Sequence, residues 1–225
     1  MYRQESGFAV PLPWMSARSQ PGPNAGYNAR MEVLLAIGIG AGLASVAGVR
    51  AFLPLLLAFV FSYLGFFEPS GAVSGPVGGW EGRTVGITGA LAGLALLEIV
   101  LDKVRVVERV FNMVMVPLRA MSGALLVAAL APTAGAVLWL AIGAAIAGVV
   151  AVLKVLQRPP ASTPSSGVST SFLSLIEDLV GLIGGAVAFF VPYLPVLLVA
   201  FLLFFFSRIR KRRGKKFGGL RILGD

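Results

Sequence analysis

The sequence predicts an all-α fold, a polytopic transmembrane bundle of about seven helices. Three observations predict it. The 225 residues are 57% hydrophobic and 13% charged, with a mean hydropathy of +0.87. An ordinary soluble domain is about 25% charged; a chain this poor in polar side chains cannot coat a globule, so lipid is its expected solvent. The apolar residues gather into seven runs separated by Pro, Gly and charged connectors. A block of basic residues directly follows the last run.

Residues 1–30 are rich in Pro, Gly, Ser and Asn and lack apolar periodicity, so they are expected to be a disordered N-terminal extension. Met31-Glu32-Val33-Leu34-Leu35 reads like a natural start. A signal peptide is the competing reading, since Ser45-Val46-Ala47 resembles a cleavage site, but a second apolar run begins almost at once. The runs themselves are Val33–Val49, Ala51–Phe67, Val85–Leu101, a stretch ending at Ala131, Ala134–Val155, Phe172–Val191 and Tyr193–Phe206. A spanning helix needs about 20 residues, so several of these are short for the task. Residues 31–207 then form the transmembrane domain. Within it, residues 102–118 place Val104, Val107, Phe111, Val114 and Leu118 on one helical face, and Arg105, Glu108, Arg109 and Asn112 on another. That pattern is expected to be an amphipathic interfacial helix.

Residues 208–225 are expected to be a polybasic cytoplasmic tail. Arg208, Arg210, Lys211, Arg212, Arg213, Lys215 and Lys216, with Arg221 beyond, face a single acid, Asp225. A basic cluster beside an apolar run fixes orientation and attracts anionic lipid headgroups; it is not expected to bind nucleic acid. With the tail inside, counting back puts Gln157–Thr170 and Asp102–Arg119 on the same side, and Glu68–Thr84 and Pro192–Pro195 outside. A multi-pass protein of the bacterial inner membrane is the implied location.

Glycines recur four apart at Gly38/Gly42, Gly89/Gly93 and Gly181/Gly185, a spacing that lets helices approach closely. Leu35-Ala36-Ile37-Gly38 recurs as Leu140-Ala141-Ile142-Gly143, and Gly48–Leu53 is loosely echoed by Gly167–Leu173. These echoes suggest two three-helix parallel repeats joined by a linker helix, although such short apolar matches also arise by chance.

Composition removes much chemistry. There is no Cys and no His, hence no thiolate or imidazole metal site and no Ser-His-Asp triad. No enzyme activity, cofactor or metal is expected. Ionisable residues inside apolar segments are costly and therefore the candidates for function. Arg50 lies between two runs, flanked by Gly48 and Pro54; it marks either a tight cytoplasmic turn or a polar site. Glu98 and Asp102 share a helix face, ready for a cation or proton or for pairing with Arg105 and Arg109. Arg119 follows Pro117; if its helix begins near Val110 it is buried and needs a carboxylate, Glu98 or Glu177. Glu177 and Asp178 follow Ser174, either as a capping box or as an interior pair facing Arg50 or Arg119.

Gly48-Val49-Arg50-Ala51-Phe52-Leu53-Pro54-Leu55-Leu56 resembles the signature of a bacterial integral-membrane family catalogued as a domain of unknown function, label four-one-two-six. Glu98 to Lys103, Arg119 before Ser122–Leu126, and Leu173 to Asp178 resemble its later blocks. The resemblance spans roughly Met31 to Phe206. It implies fold and location and carries no activity over. The segment after Lys103 lacks the Trp and His of that pattern. The charges point to a transporter or channel for a small ion or solute, with Arg50, Glu98, Asp102, Arg119, Glu177 and Asp178 as its site. The alternative is a non-transporting scaffold that binds anionic lipid.

Overall fold

The computed structural model describes residues 25–66, 85–102, 108–131, 135–157 and 170–218. Among them there are seven helices and no strands. These are α1 (Ala25–Val49), α2 (Phe52–Tyr63), α3 (Val85–Leu101), α4 (Glu108–Leu130), α5 (Ala136–Gln157), α6 (Thr170–Val187) and α7 (Leu194–Gly218). The all-helical fold and the number of helices agree with the sequence. Two stretches, Val110–Leu130 and Ala136–Gln157, are long and apolar enough to cross a membrane; Val33–Val49, Phe52–Tyr63 and Gly86–Leu101 are shorter apolar helices.

Helix α1 is the hub. From Leu43 to Val49 its side chains are almost entirely excluded from solvent, and it touches α2, α4, α5, α6 and α7. Gly40 faces Val127, and Gly123 faces Ala44, so α1 and α4 run antiparallel. Gly48 meets Ala147 and Val150 of α5, and Gly184 of α6 meets Val46. Helix α3 packs on α2 at the periphery. The polarity of the body is inverted relative to a water-soluble bundle. Val137, Leu138, Leu197, Phe201, Leu96 and Val110 are exposed, whereas Arg50, Glu98, Arg119, Lys154 and Glu177 are buried. Such a surface suits hydrocarbon, and charged groups inside it suit pairing across helices.

The chain reverses at Arg50–Ala51. Gly181 contacts Arg50 and Leu53, Gly184 contacts Val46, and Gly185 contacts Leu57. Helices α1 and α2 therefore leave the reversal together along α6. Pro54 lies in the first turn of α2, where its missing N–H costs no helical hydrogen bond. Gly65, at φ 78°, ends α2 as only glycine does readily. At twelve residues and about 1.5 Å per residue, α2 is too short to span a bilayer.

Three expectations need correction. Helix α1 begins at Ala25, so residues 25–30 are helical; residues 1–24 lie outside the described residues. Of the expected interfacial helix 102–118, the described residues 108–118 belong to a longer helix instead. Helix α3 ends at Leu101, residues 103–107 lie outside the described residues, and α4 runs unbroken through Pro117 to Leu130. The physical reason is length: Ala120–Leu130 cannot cross alone, and joining it to Val110–Arg119 gives a 21-residue span. The polar face of Asn112 turns inward. Two of the three glycine pairs, on α1 and α6, lie at helix contacts, but Gly89 and Gly93 face open space. The tightest approach involves a pair the spacing did not single out: a Cβ on Gly143 would overlap the Gly123 carbonyl, so α4 and α5 cross backbone to backbone. The helices paired by the sequence echoes, α1 with α5 and α2 with α6, run in the same direction.

Candidate functional site

Arg50, at the apex of the α1–α2 reversal, is fully buried. Its Nη2 lies 2.9 Å from Asp102 Oδ2, 2.6 Å from Asp178 Oδ1 and 3.7 Å from Glu177 Oε2, and donates to Ser174 Oγ at 3.1 Å. These partners arrive on different elements, Asp102 just past the end of α3 and the others in the early turns of α6. Ser174 Oγ in turn donates to Asp102 Oδ2 at 3.2 Å.

A second centre forms on Arg119. Its Nη2 donates to Asn112 Oδ1 at 3.1 Å and lies 3.5 Å from Glu98 Oε1. Asn112 Nδ2 donates to Asp102 Oδ1 at 2.9 Å and so links the two arginine centres. Asn112 and Arg119 are seven residues apart on α4, two turns that return both side chains to one face. Arg119 is buried, as expected if its helix begins near Val110, and its partner is Glu98.

The reversal leaves backbone groups that a buried turn must satisfy. Charged and polar side chains do this. Glu98 Oε1 accepts from the Ala51 N–H at 3.1 Å and Oε2 from the Phe52 N–H at 3.2 Å, capping α2. Ser122 Oγ donates to the Ala51 carbonyl at 2.6 Å, and Lys154 Nζ donates to the Val49 carbonyl at 2.9 Å. Lys154 also lies 2.7 Å from Glu177 Oε2. One polar cluster therefore ties together α1, α2, α3, α4, α5 and α6, at the end of the bundle where α1, α3 and α5 finish and α2 and α6 begin.

All six residues singled out in the sequence, Arg50, Glu98, Asp102, Arg119, Glu177 and Asp178, fall in this cluster. The capping box at Ser174 does not form. Helix α6 starts at Thr170, which puts Ser174 and Glu177 past its first turn, where both turn to the cluster. Arg105 and the Arg109 side chain lie outside the described residues; Glu98 and Asp102 find Arg119 and Arg50 instead. Lys154, Asn112, Ser122 and Ser174 were not foreseen. Lys154 had a legible signal, because it sits inside an apolar run and an intramembrane ammonium needs a partner. The basic tail is partly described: α7 continues to Gly218, with Arg208, Arg210 and Lys211 exposed and Arg210 donating to the Leu156 carbonyl.

The cluster is incompletely satisfied. Nε and Nη1 of Arg50 and Nε and Nη1 of Arg119 are buried without a hydrogen-bond partner. Among the described residues no group of His, Cys, Asp and Glu is suited to hold a metal ion. Chemically, the arrangement offers guanidinium donors, an ammonium and carboxylate acceptors held together in a buried setting.

No curated protein and no solved structure matches the chain. Residues 37–212 match the family model described as Domain of unknown function (DUF4126), which covers every residue of the cluster, and the chain belongs to that family.

Proposed function

We propose that this protein is a multi-pass membrane transporter or channel for a small ion or solute, with the buried cluster as its binding site. The observation that carries this reading is the burial of three cations and three carboxylates, drawn from separate helices, with the partly exposed Asp178 beside them and four guanidinium nitrogens left unpartnered. Burying an ion pair costs so much desolvation that well-packed apolar residues often serve stability as well or better. A cluster of this size with unmet donors is poorly explained as a staple and well explained as a place where an ion or polar solute is received. The basic extension of α7 projects from the same end, and the excess of basic connectors there supports a cytoplasmic face. Flux assays on proteoliposomes with small cations, anions and neutral solutes test the reading. Flux above that of protein-free vesicles, lost in folded Arg50→Ala and Glu177→Gln, is expected; parent-like flux in both variants would remove these residues from the mechanism.

A second reading rests on a separate observation. Helix α7 carries its exposed Arg208, Arg210 and Lys211 directly beyond the apolar segment. Basic side chains at a membrane surface each contribute about 1 kcal/mol of attraction to anionic lipid. On this reading the protein organises lipid and moves nothing. Copurified anionic lipid that disappears when 208–216 is deleted, with no flux of any solute, would favour it.

A further inference from the structure

Each arginine of the cluster is held by a single nitrogen. Arg50 meets Asp102, Asp178 and Ser174 through Nη2, and Arg119 meets Glu98 and Asn112 through Nη2. The other nitrogens, Nε and Nη1 of both residues, are closed off from solvent and have no acceptor. Each carries at least one N–H, and a guanidinium accepts nothing in return. Buried polar atoms in native interiors nearly always have a partner, and an unmet donor on a charged group is costly. The chain therefore leaves acceptor oxygens wanting at two guanidinium groups of one cluster, groups already joined through Asp102 and Asn112.

The charges, by contrast, are already matched. Among the described residues the fully buried members are three cations and three carboxylates, and they pair one to one. Arg50 lies 2.9 Å from Asp102, Arg119 3.5 Å from Glu98 and Lys154 2.7 Å from Glu177. Asp178, whose side chain is 15% exposed, adds a further carboxylate 2.6 Å from Arg50. These two facts sort ligands by charge. A cation does not answer the unmet groups, which are donors. An anion answers them but brings an uncompensated charge into a dry interior beside carboxylates, which is strongly opposed. An uncharged molecule with a carbonyl or hydroxyl oxygen meets the donors and leaves the balance as it stands. Hydrogen bonds from a charged donor are stronger than neutral ones, so such a ligand is well held.

We propose that the cluster binds a small uncharged polar solute, which accepts hydrogen bonds through a carbonyl or hydroxyl oxygen from Nε and Nη1 of Arg50 and Arg119. The carboxylates hold the two guanidinium groups in place and cancel their charge; the solute completes their hydrogen bonding. Binding makes and breaks no covalent bond and moves no proton. No solvent reaches the four nitrogens in this packing, so this is the closed form of the bundle, and the solute enters when the bundle opens. The proposal rests on the cluster being a ligand site and names the ligand class.

Acetamide, acetate and acetamidinium share one planar shape and differ in charge, so they test the sorting directly. The measurements are equilibrium binding of each to the full chain in lipid nanodiscs, and flux of each into proteoliposomes. The folded parent is expected to bind acetamide more tightly than either ion by about tenfold or more, the scale of one buried charged hydrogen bond. Arg119→Lys keeps the charge balance and removes Nε and Nη1; it is expected to weaken acetamide binding by about the same factor. Acetate or acetamidinium bound as tightly as acetamide by the parent, or no binding of acetamide at all, overturns the proposal, and the parent ranking decides even if Arg119→Lys does not fold. Acetamide bound in the expected order without flux of any of the three would remove transport and leave this site. Flux of acetate or acetamidinium without acetamide binding would remove this site and leave transport.

Discussion

Lys154 Nζ stands 2.7 Å from Glu177 Oε2 and donates to the Val49 carbonyl at 2.9 Å, so one side chain of α5 fastens the end of α1 to α6. Removing one partner of a buried pair leaves the other charged and dry, at a cost of about 3–5 kcal/mol. Lys154→Met is expected to fall at the low end of that range, because Arg50 still lies 3.7 Å from Glu177. Thermal unfolding in detergent reads this as a large drop in Tm. The double variant Lys154→Met with Glu177→Leu is expected to recover much of the loss, and simple additivity of the two would show that the pair is not coupled.

Arg50→Lys tests geometry at constant charge. A single Nη2 serves Asp102, Asp178 and Ser174. An ammonium on a shorter reach cannot keep all three, and the two residues are not interchangeable at such a site. We expect Arg50→Lys to lower stability by about 2 kcal/mol, the scale of a charged hydrogen bond lost in the interior, and to abolish flux in protein that remains folded. Parent-like flux would show that the guanidinium is dispensable.

The crossing of α4 and α5 makes a prediction away from the charges. A side chain at Gly143 has no room against the Gly123 carbonyl and the Ala124 backbone. Overpacking typically costs about 1–3 kcal/mol, and backbone cannot yield as a flexible side chain can. Gly143→Val is expected to exceed that range and reduce the yield of folded protein. Gly89→Ala, on the open face of α3, is expected to be neutral in the same unfolding assay.

Ser122 offers a milder probe of the chain reversal. Its hydroxyl donates to the Ala51 carbonyl at 2.6 Å in a buried setting. Ser122→Ala leaves that carbonyl without this donor, with an expected loss of about 1–3 kcal/mol. A change below a few tenths of a kcal/mol would mean that another group satisfies it.

The sequence makes much of this arrangement legible, for a specific reason. Arg50, Glu98, Asp102, Arg119, Glu177 and Asp178 interrupt apolar segments, and a charge in such a place needs a partner across the bundle. What sequence does not state is who pairs with whom. Glu98 meets Arg119 from α4 and the N–H groups of α2, contacts set by three-dimensional packing. Lys154 escaped notice because Arg158 follows it, and a basic pair at the end of a run reads as a topology signal. Asn112 reads as part of an interfacial polar face and Ser174 as a helix cap, and the uncharged Ser122 carries no sign of its role, so none of the three is marked by sequence as a site residue. The region before Pro117 misled for a different reason: Arg105, Glu108, Arg109 and Asn112 alternate with apolar residues as an interfacial helix would. In α4 Asn112 reaches the cluster, and the helix continues through the proline.

The central claim is that the buried cluster is a site reached by water-borne solutes. The chain contains no cysteine, so single Ser174→Cys and Ser122→Cys variants in proteoliposomes test it directly with a small membrane-impermeant thiol reagent. The account predicts that both cysteines react from the face bearing the α7 extension, and that Ser174→Cys is protected when the transported solute is present. Cysteines that react only after denaturation, from neither face of the folded protein, would contradict it.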